Sequence, residues 1–212
     1  MIFTAQTLGL DRMVEYLDKY GIGKTTGIDL QGETAPVIKP KNSWYAVDLA
    51  TTGFGQGISV TPIELLTAFS SIANKGIMME PHIVASVRDE NGKITKIEPK
   101  EIGRPIDSAS AKVMTEVLVN AVNKGEAQWT RIKGYRIAGK TGTASIPIEG
   151  KYDPNKTIAS FIGFAPAAEP KFVIFVILDR PTARIYGAET AAPIFFGIAR
   201  DLFNYYGIAP DE

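Results

Sequence analysis

The 212-residue chain contains no cysteine and a single histidine, His82. Without thiols there is no disulfide, no thiolate nucleophile and no zinc-cysteine site, and a single imidazole argues against a histidine metal site and a Ser-His-Asp triad. No metal or cofactor is expected, and any catalysis must use serine, threonine, lysine or carboxylates. An excess of one charge is also missing. Lys+Arg 23 balance Asp+Glu 23, so no long-range positive field draws the chain to nucleic acid or to an anionic membrane surface. The longest apolar runs, residues 172–178 and 191–199, fall far short of the roughly 20 residues that span a bilayer. What remains is ordinary globular composition, 45% hydrophobic and 22% charged, which can bury a core. No repeat, low-complexity tract or linker interrupts it, so residues 1–212 read as part of one domain.

Residues 1–9 carry no basic leader and no cap or turn ahead of their helical pattern. They read as the middle of a helix, and hence the chain as the second piece of something longer. A helix is expected over 11–20, where Met13, Val14 and Leu17 recur at helical spacing and Gly21 stops the run. Residues 21–42, rich in glycine and proline, predict an irregular loop with at most a short strand at 26–30. Thr61-Pro62 with Glu64 reads as a capping box opening a helix over 62–74. Asn91-Gly92 between two β-prone runs predicts a hairpin of 84–87 with 94–97. A helix follows over 108–122, with Val113, Val117, Leu118 and Ala121 on one face. Strands are expected at 135–144, 157–164 and 172–178, the last a continuous apolar run fit for the middle of a sheet, and a helix at 193–206.

Gly134-Tyr135-Arg136-Ile137-Ala138-Gly139-Lys140-Thr141 satisfies the P-loop pattern. A phosphate cradle, however, needs a flexible turn leading into a helix, and these variable positions are strand formers followed by Gly142 and Pro147. As a strand, the same residues put Lys140, Gly142 and Ala144 on one face and Thr141 and Thr143 on the other. Such a strand offers an approaching peptide a ladder of amides, two hydroxyls for a carboxylate and an ammonium nearby, with no side chain at Gly142 in the way. Lys-Thr-Gly is the third signature element of penicillin-recognising serine acyltransferases. Gly55-Gln56-Gly57 and Gly21-Ile22-Gly23 read as turns, His82 as a surface histidine, and Trp44, Tyr45 and Trp129 as loop aromatics.

Five blocks in order extend the match: Tyr20-Gly21-Ile22-Gly23 with Thr26-Gly27-Ile28-Asp29-Leu30; Gly53-Phe54-Gly55-Gln56-Gly57 through Thr61-Pro62; Ala138-Gly139-Lys140-Thr141-Gly142-Thr143-Ala144; Ser160-Phe161-Ile162-Gly163-Phe164; and Ala191-Ala192-Pro193-Ile194-Phe195. On these the chain resembles the C-terminal part of the transpeptidase domain of class B penicillin-binding proteins. The family's Ser-x-x-Lys and Ser-x-Asn are not in the sequence; the nearest run, Ser71-Ile72-Ala73-Asn74-Lys75, is one residue too long. In the family both precede the Leu8-Gly9 region, so the chain is expected to begin just downstream of Ser-x-Asn.

The resemblance implies a mixed α/β fold of the serine β-lactamase type, an antiparallel sheet with helices on both faces, incomplete on its N-terminal side. It implies a D,D-transpeptidase that cross-links D-Ala-D-Ala stem peptides through a serine acyl-enzyme, present here without its nucleophile. Lys140 and Thr143 are then the catalytic candidates, Lys140 for charge and Thr143 for a backbone amide in the oxyanion hole. Lys140, Thr141, Gly142, Thr143 and Ala144 form the substrate-binding strand, and Ser145 stands where many relatives have glutamine. The implied partners are peptidoglycan stem peptides, β-lactam antibiotics, the N-terminal remainder of the same protein, and cell-wall synthesis or division proteins. The implied location is the extracytoplasmic face of a bacterial membrane, with the anchor outside these residues. A non-catalytic interaction or β-lactam-sensing domain is the alternative, and a P-loop hydrolase the third reading. In the family two strands from outside these residues lie beyond 172–178, so that run is expected to be an exposed sheet edge.

Because the 212 residues hold no Ser-x-x-Lys, they are expected to form no covalent adduct with a fluorescent penicillin. A stoichiometric mass shift of the purified chain after treatment would overturn this.

Overall fold

The computed structural model describes residues 1–148 and 151–211. It divides into two compact units, Met1–Ser108 and Ala109–Glu212. The whole is mixed α/β, with antiparallel sheets and six α-helices among the described residues.

In the first unit, helices α1 (Ile2–Leu8) and α2 (Leu10–Lys19) meet at Gly9, and α1 packs on α3 (Ala46–Thr52). Helix α3 had no advance signal beyond Asp48, whose carboxylate accepts the Tyr45 N–H at 2.6 Å and so caps the first turn. Residues 21–42 hold no strand. Single-turn 3-10 helix Lys41–Ser43 closes them, and carboxylates tie them down. Glu33 accepts from Thr26 N, Thr26 Oγ1 and Gly27 N at 2.7, 2.6 and 3.1 Å. Asp29 accepts from Ile83 N and Val84 N at 2.7 and 2.8 Å. Those two N–H groups hold the Asp29 carboxyl below its usual range. A lowered value means that this tie is complete above the ordinary aspartate pKa of about 4 and is lost as pH falls through the lowered one.

Helix α4 (Pro62–Ala73) starts as its sequence dictates: Thr61 Oγ1 accepts from Glu64 N, Glu64 Oε2 accepts from Thr61 N, and proline occupies the first turn. Glu64 is 2% exposed, and its other oxygen accepts the Gly23 N–H at 2.7 Å. One side chain thus caps the helix and anchors the turn of residues 21–23. Gly55 and Gly57 have φ of +87° and +71°, which makes Gly55-Gln56-Gly57 the tight turn after α3. Strand β1 (Met78–Met79) pairs with β4 (Glu101–Gly103), and between them β2 (Ser86–Arg88) and β3 (Ile94–Lys96) form the expected hairpin around Asn91-Gly92.

The second unit holds α5 (Ser108–Lys124), β5 (Ala138–Ile148), β6 (Lys151–Ala165), β7 (Phe172–Asp179) and α6 (Ala191–Tyr206). The strands form one antiparallel sheet in the order β5-β6-β7, so β7 pairs on one side only among the described residues. Phe161 of β6 packs on Phe195 and Phe196 of α6 at centroid distances of 4.5 and 5.4 Å. All three are at most 2% exposed, and each such burial contributes about 1.5–3 kcal/mol. The face expected for α5 needs correction. Ala111, Leu118, Val119 and Val122 are the buried residues, whereas Val113 and Val117 are 65% and 55% exposed. Alanine and valine recur on both sides of this helix, and contact with the phenylalanine cluster selects the side carrying Val122.

Glu64→Ala is expected to lower unfolding free energy by about 2–4 kcal/mol, because two half-buried N–H groups, of Gly23 and Thr61, lose their acceptor. Glu64→Gln, which keeps one acceptor oxygen, should cost clearly less. Urea denaturation of the three proteins checks the order, and equal midpoints for Ala and Gln would refute the role given to the carboxylate.

Candidate active-site strand

Strand β5 carries every site candidate at the outer edge of the sheet. Its register sets Lys140 opposite Ile162, Thr141 opposite Phe161, Gly142 opposite Ser160, Thr143 opposite Ala159 and Ala144 opposite Ile158. Directly opposed residues in an antiparallel pair share a face. Thr141 and Thr143 therefore share the face of Phe161, which packs on α6, and Lys140 and Gly142 share the other face with Ile162 and Ser160. The alternation read from the sequence holds. The P-loop pattern does not: Lys140 and Thr141 lie inside a strand that runs on to Ile148, so no helix N-terminus stands there to meet a phosphate.

The Lys140 ammonium is exposed and donates to Thr141 O and Thr141 Oγ1, both at 3.0 Å. It makes no ion pair among the described residues, so its charge is uncompensated by a protein carboxylate. Thr141 and Gly142 are half-buried, Thr143 is exposed and Ala144 half-buried. Past Ser145, half-buried and opposite Thr157, the register shifts so that Pro147 faces Tyr152. A proline cannot donate to the ladder, and the regular pairing gives way beyond the candidate residues.

Gly187 is a site residue that the sequence reading missed. Its N–H donates to Thr143 Oγ1 at 3.1 Å. That bond uses a lone pair of the hydroxyl and leaves the hydroxyl proton free to donate to another acceptor. The position tolerates nothing larger than glycine, since a Cβ would run into the carbonyl oxygens of Gly142 and Ser160. The segment is held on both sides: Thr157 Oγ1 donates to Ile185 O at 2.5 Å, and Ala192 N donates to Gly187 O at 2.9 Å. One glycine between Tyr186 and Ala188 carries no motif that would announce this approach. Gly142 acquires a second reason for its bareness, because a side chain there would collide with the Ser160 hydroxyl.

A Lys-Thr-Gly-Thr run on a sheet edge that is open among the described residues, with an ammonium that finds no carboxylate there and an aligned hydroxyl, marks the penicillin-recognising serine acyltransferases as a class. The chain belongs to the penicillin-binding protein transpeptidase family, whose model, described as the penicillin binding protein transpeptidase domain, matches residues 1–200. Stage V sporulation protein D of Bacillus subtilis is 38% identical over 208 residues, covering 97% of this chain and 32% of that protein. Peptidoglycan D,D-transpeptidase FtsI of Escherichia coli is 33% identical over 203 residues, 94% of this chain and 32% of the other. The chain thus spans about a third of the length of these relatives. The fold matches penicillin-binding protein 3 of Mycobacterium tuberculosis at a TM-score of 0.91 and 30% identity, covering 100% of this chain and 50% of that one. That protein has also been solved in complex with aztreonam and with ampicillin.

Gly187→Ala is expected to destabilise the chain by about 1–3 kcal/mol, the range for overpacking, by prising the 185–187 segment off β5 and β6. Thermal and urea denaturation measure it. An unchanged midpoint would show that the contact with Gly142 and Ser160 relaxes without cost.

Proposed function

We propose that this chain supplies the substrate-binding edge of a peptidoglycan D,D-transpeptidase whose nucleophilic serine lies on polypeptide outside these 212 residues. The observation that carries the proposal is the exposed Lys140 ammonium, beside the Thr141 hydroxyl and without a carboxylate partner among the described residues, on a strand whose outer edge is open there and which also carries the Gly187-held hydroxyl of Thr143. The serine hydroxyl attacks the carbonyl of the penultimate D-Ala of a stem peptide. Its proton passes to the leaving amine, the terminal D-Ala departs, and an amine of a neighbouring stem then takes the acyl group. One hard transfer becomes two easier ones.

In this reading Lys140 supplies positive charge, and Thr141 and Thr143 donate hydroxyl hydrogen bonds to the terminal carboxylate of the peptide or the matching carboxylate of a β-lactam. Gly142 lets the ligand backbone approach, and Ala144 continues the ladder. The amide of Thr143 is one of two oxyanion donors; loss of such a donor costs about a hundredfold or more in rate. Peptidoglycan stem peptides and β-lactams are the ligands, and the rest of the same protein and other wall-synthesis or division proteins its partners. The setting is the extracytoplasmic face of the membrane. No described helix is long and apolar enough to cross a bilayer, so an anchor would belong to another segment. Absence of Ser-x-x-Lys from these residues keeps one other reading in play, a β-lactam-sensing or interaction domain without catalysis.

The test is Lys140→Ala in a polypeptide that joins this chain to the family's Ser-x-x-Lys and Ser-x-Asn segments. Penicillin acylation should slow at least tenfold with the thermal midpoint nearly unchanged, because an exposed lysine contributes charge rather than packing. A large drop in midpoint with acylation intact would make Lys140 structural. No acylation of the unmodified polypeptide would favour the non-catalytic reading.

A further inference from the structure

The segment after α6 folds back onto the residues that lead into β5. Gly207 ends the helix with φ of +62°, and Ile208 N donates to Phe203 O at 2.9 Å. Three consecutive residues ahead of β5 are then bonded to this segment. Gly134 O accepts the Asp211 N–H at 2.8 Å, and Arg136 N donates to Asp211 Oδ1 at 2.8 Å. Between them, Tyr135 donates its hydroxyl to Ile208 O at 3.0 Å and stacks on Phe203, ring centroids 4.0 Å apart and 8° from parallel.

The strand that follows is held by its ladder to β6 and, at Thr143, by Gly187. Among the described residues its other edge is open, and Gly139 and Gly142 add backbone freedom within it. A one-residue slip would turn Lys140 and Gly142 to the α6 face and Thr141 and Thr143 away from it. The bonds at residues 134–136 fix the chain two residues before Ala138, the first of the strand, and four before Lys140.

We infer that the segment 207–211 is a strap that sets the position of β5, with Asp211 and Tyr135 as positioning residues for Lys140 and Thr143. Misplacement of a reacting group by about 1 Å can cost a hundredfold in rate. The strap's effect on acylation rests on the function proposed above; its effect on the strand does not.

Asp211→Ala removes the acceptor of the Arg136 N–H, whereas Asp211→Asn keeps an oxygen there. In the 212-residue chain, amide hydrogen exchange at residues 138–143 should quicken about tenfold in the alanine variant, stay unchanged in β7, and return to near the parent rate in the asparagine variant. In the polypeptide that adds the serine motifs, the penicillin acylation rate constant should fall about tenfold at an unchanged final labelled fraction, again rescued by asparagine. A merely structural role would instead raise exchange across β5, β6 and β7 together and lower the labelled fraction at an unchanged rate constant. That pattern overturns the proposal, as does exchange within twofold of the parent at residues 138–143. If the unmodified polypeptide takes no penicillin, the functional reading fails while exchange still decides the strap. Should Asp211→Ala not fold, Tyr135→Phe removes only the hydroxyl bond to Ile208 and is expected to shift exchange in β5 about threefold, with no shift counting against the strap.

Discussion

The backbone of Gly187 lies directly against the carbonyls of Gly142 and Ser160, and the arrangement of the second unit depends on that approach. With the segment seated there, Ala192 N reaches Gly187 O and α6 begins with its phenylalanines over β6. The packing behind the strand uses the same device. A Cβ on Gly163 would stand 2.8 Å from the Phe195 ring, and one on Gly139 would stand 2.7 Å from that of Phe161. Aromatic rings therefore rest on bare backbone, and helix and sheet approach more closely than side chains would allow. The same approach aims the Gly187 N–H at Thr143, so packing and site geometry are one constraint.

The first unit is held differently. Its loop of residues 21–42 has no ladder to satisfy its amides, and carboxylates take that role, Glu64 at Gly23 and Glu33 at Thr26 and Gly27, while the loop's own Asp29 accepts the N–H groups of Ile83 and Val84 ahead of the hairpin. Charge-assisted bonds of this kind are short and stronger than neutral ones, which lets an irregular segment hold one conformation. Glu64 is the most committed of them, since it is buried and serves a helix cap and a turn at once.

Strand β5 has the opposite character. Among the described residues its outer edge is unpaired and its lysine has no carboxylate partner, both of which cost a protein something in solubility or stability. Under the proposed function those groups stay available to an extended, anionic ligand. The other outer strand of the sheet, β7, is shorter, 8 residues against 11, and more apolar, and among the described residues its far side is free, as expected for residues 172–178.

Local chemistry was legible in the sequence. The capping box at Thr61 and Glu64, the Asn91-Gly92 hairpin and the three strands of the second unit follow from rules that act over a few residues, and the structure has each of them, although the strand expected over 135–144 runs from Ala138 to Ile148 because residues 134–136 bond to the segment after α6 instead. The alternation of Lys140 and Thr141 was equally readable, because the period of a strand is 2 whatever surrounds it. Helix α3 was not, since seven residues capped by one aspartate carry too little pattern, and neither was the buried side of α5, where both sides are apolar enough. The role of Gly187 and the strap at Asp211 lay beyond reach for a simpler reason. Each joins residues 44 and 75 positions apart, and no local rule specifies which distant backbone a glycine or an aspartate will meet. Sequence by itself determined most of the elements and the strand that bears the candidate site; tertiary packing alone decided what holds that strand in place, because long-range contacts are selected by the fit of whole surfaces rather than by residues close in the chain.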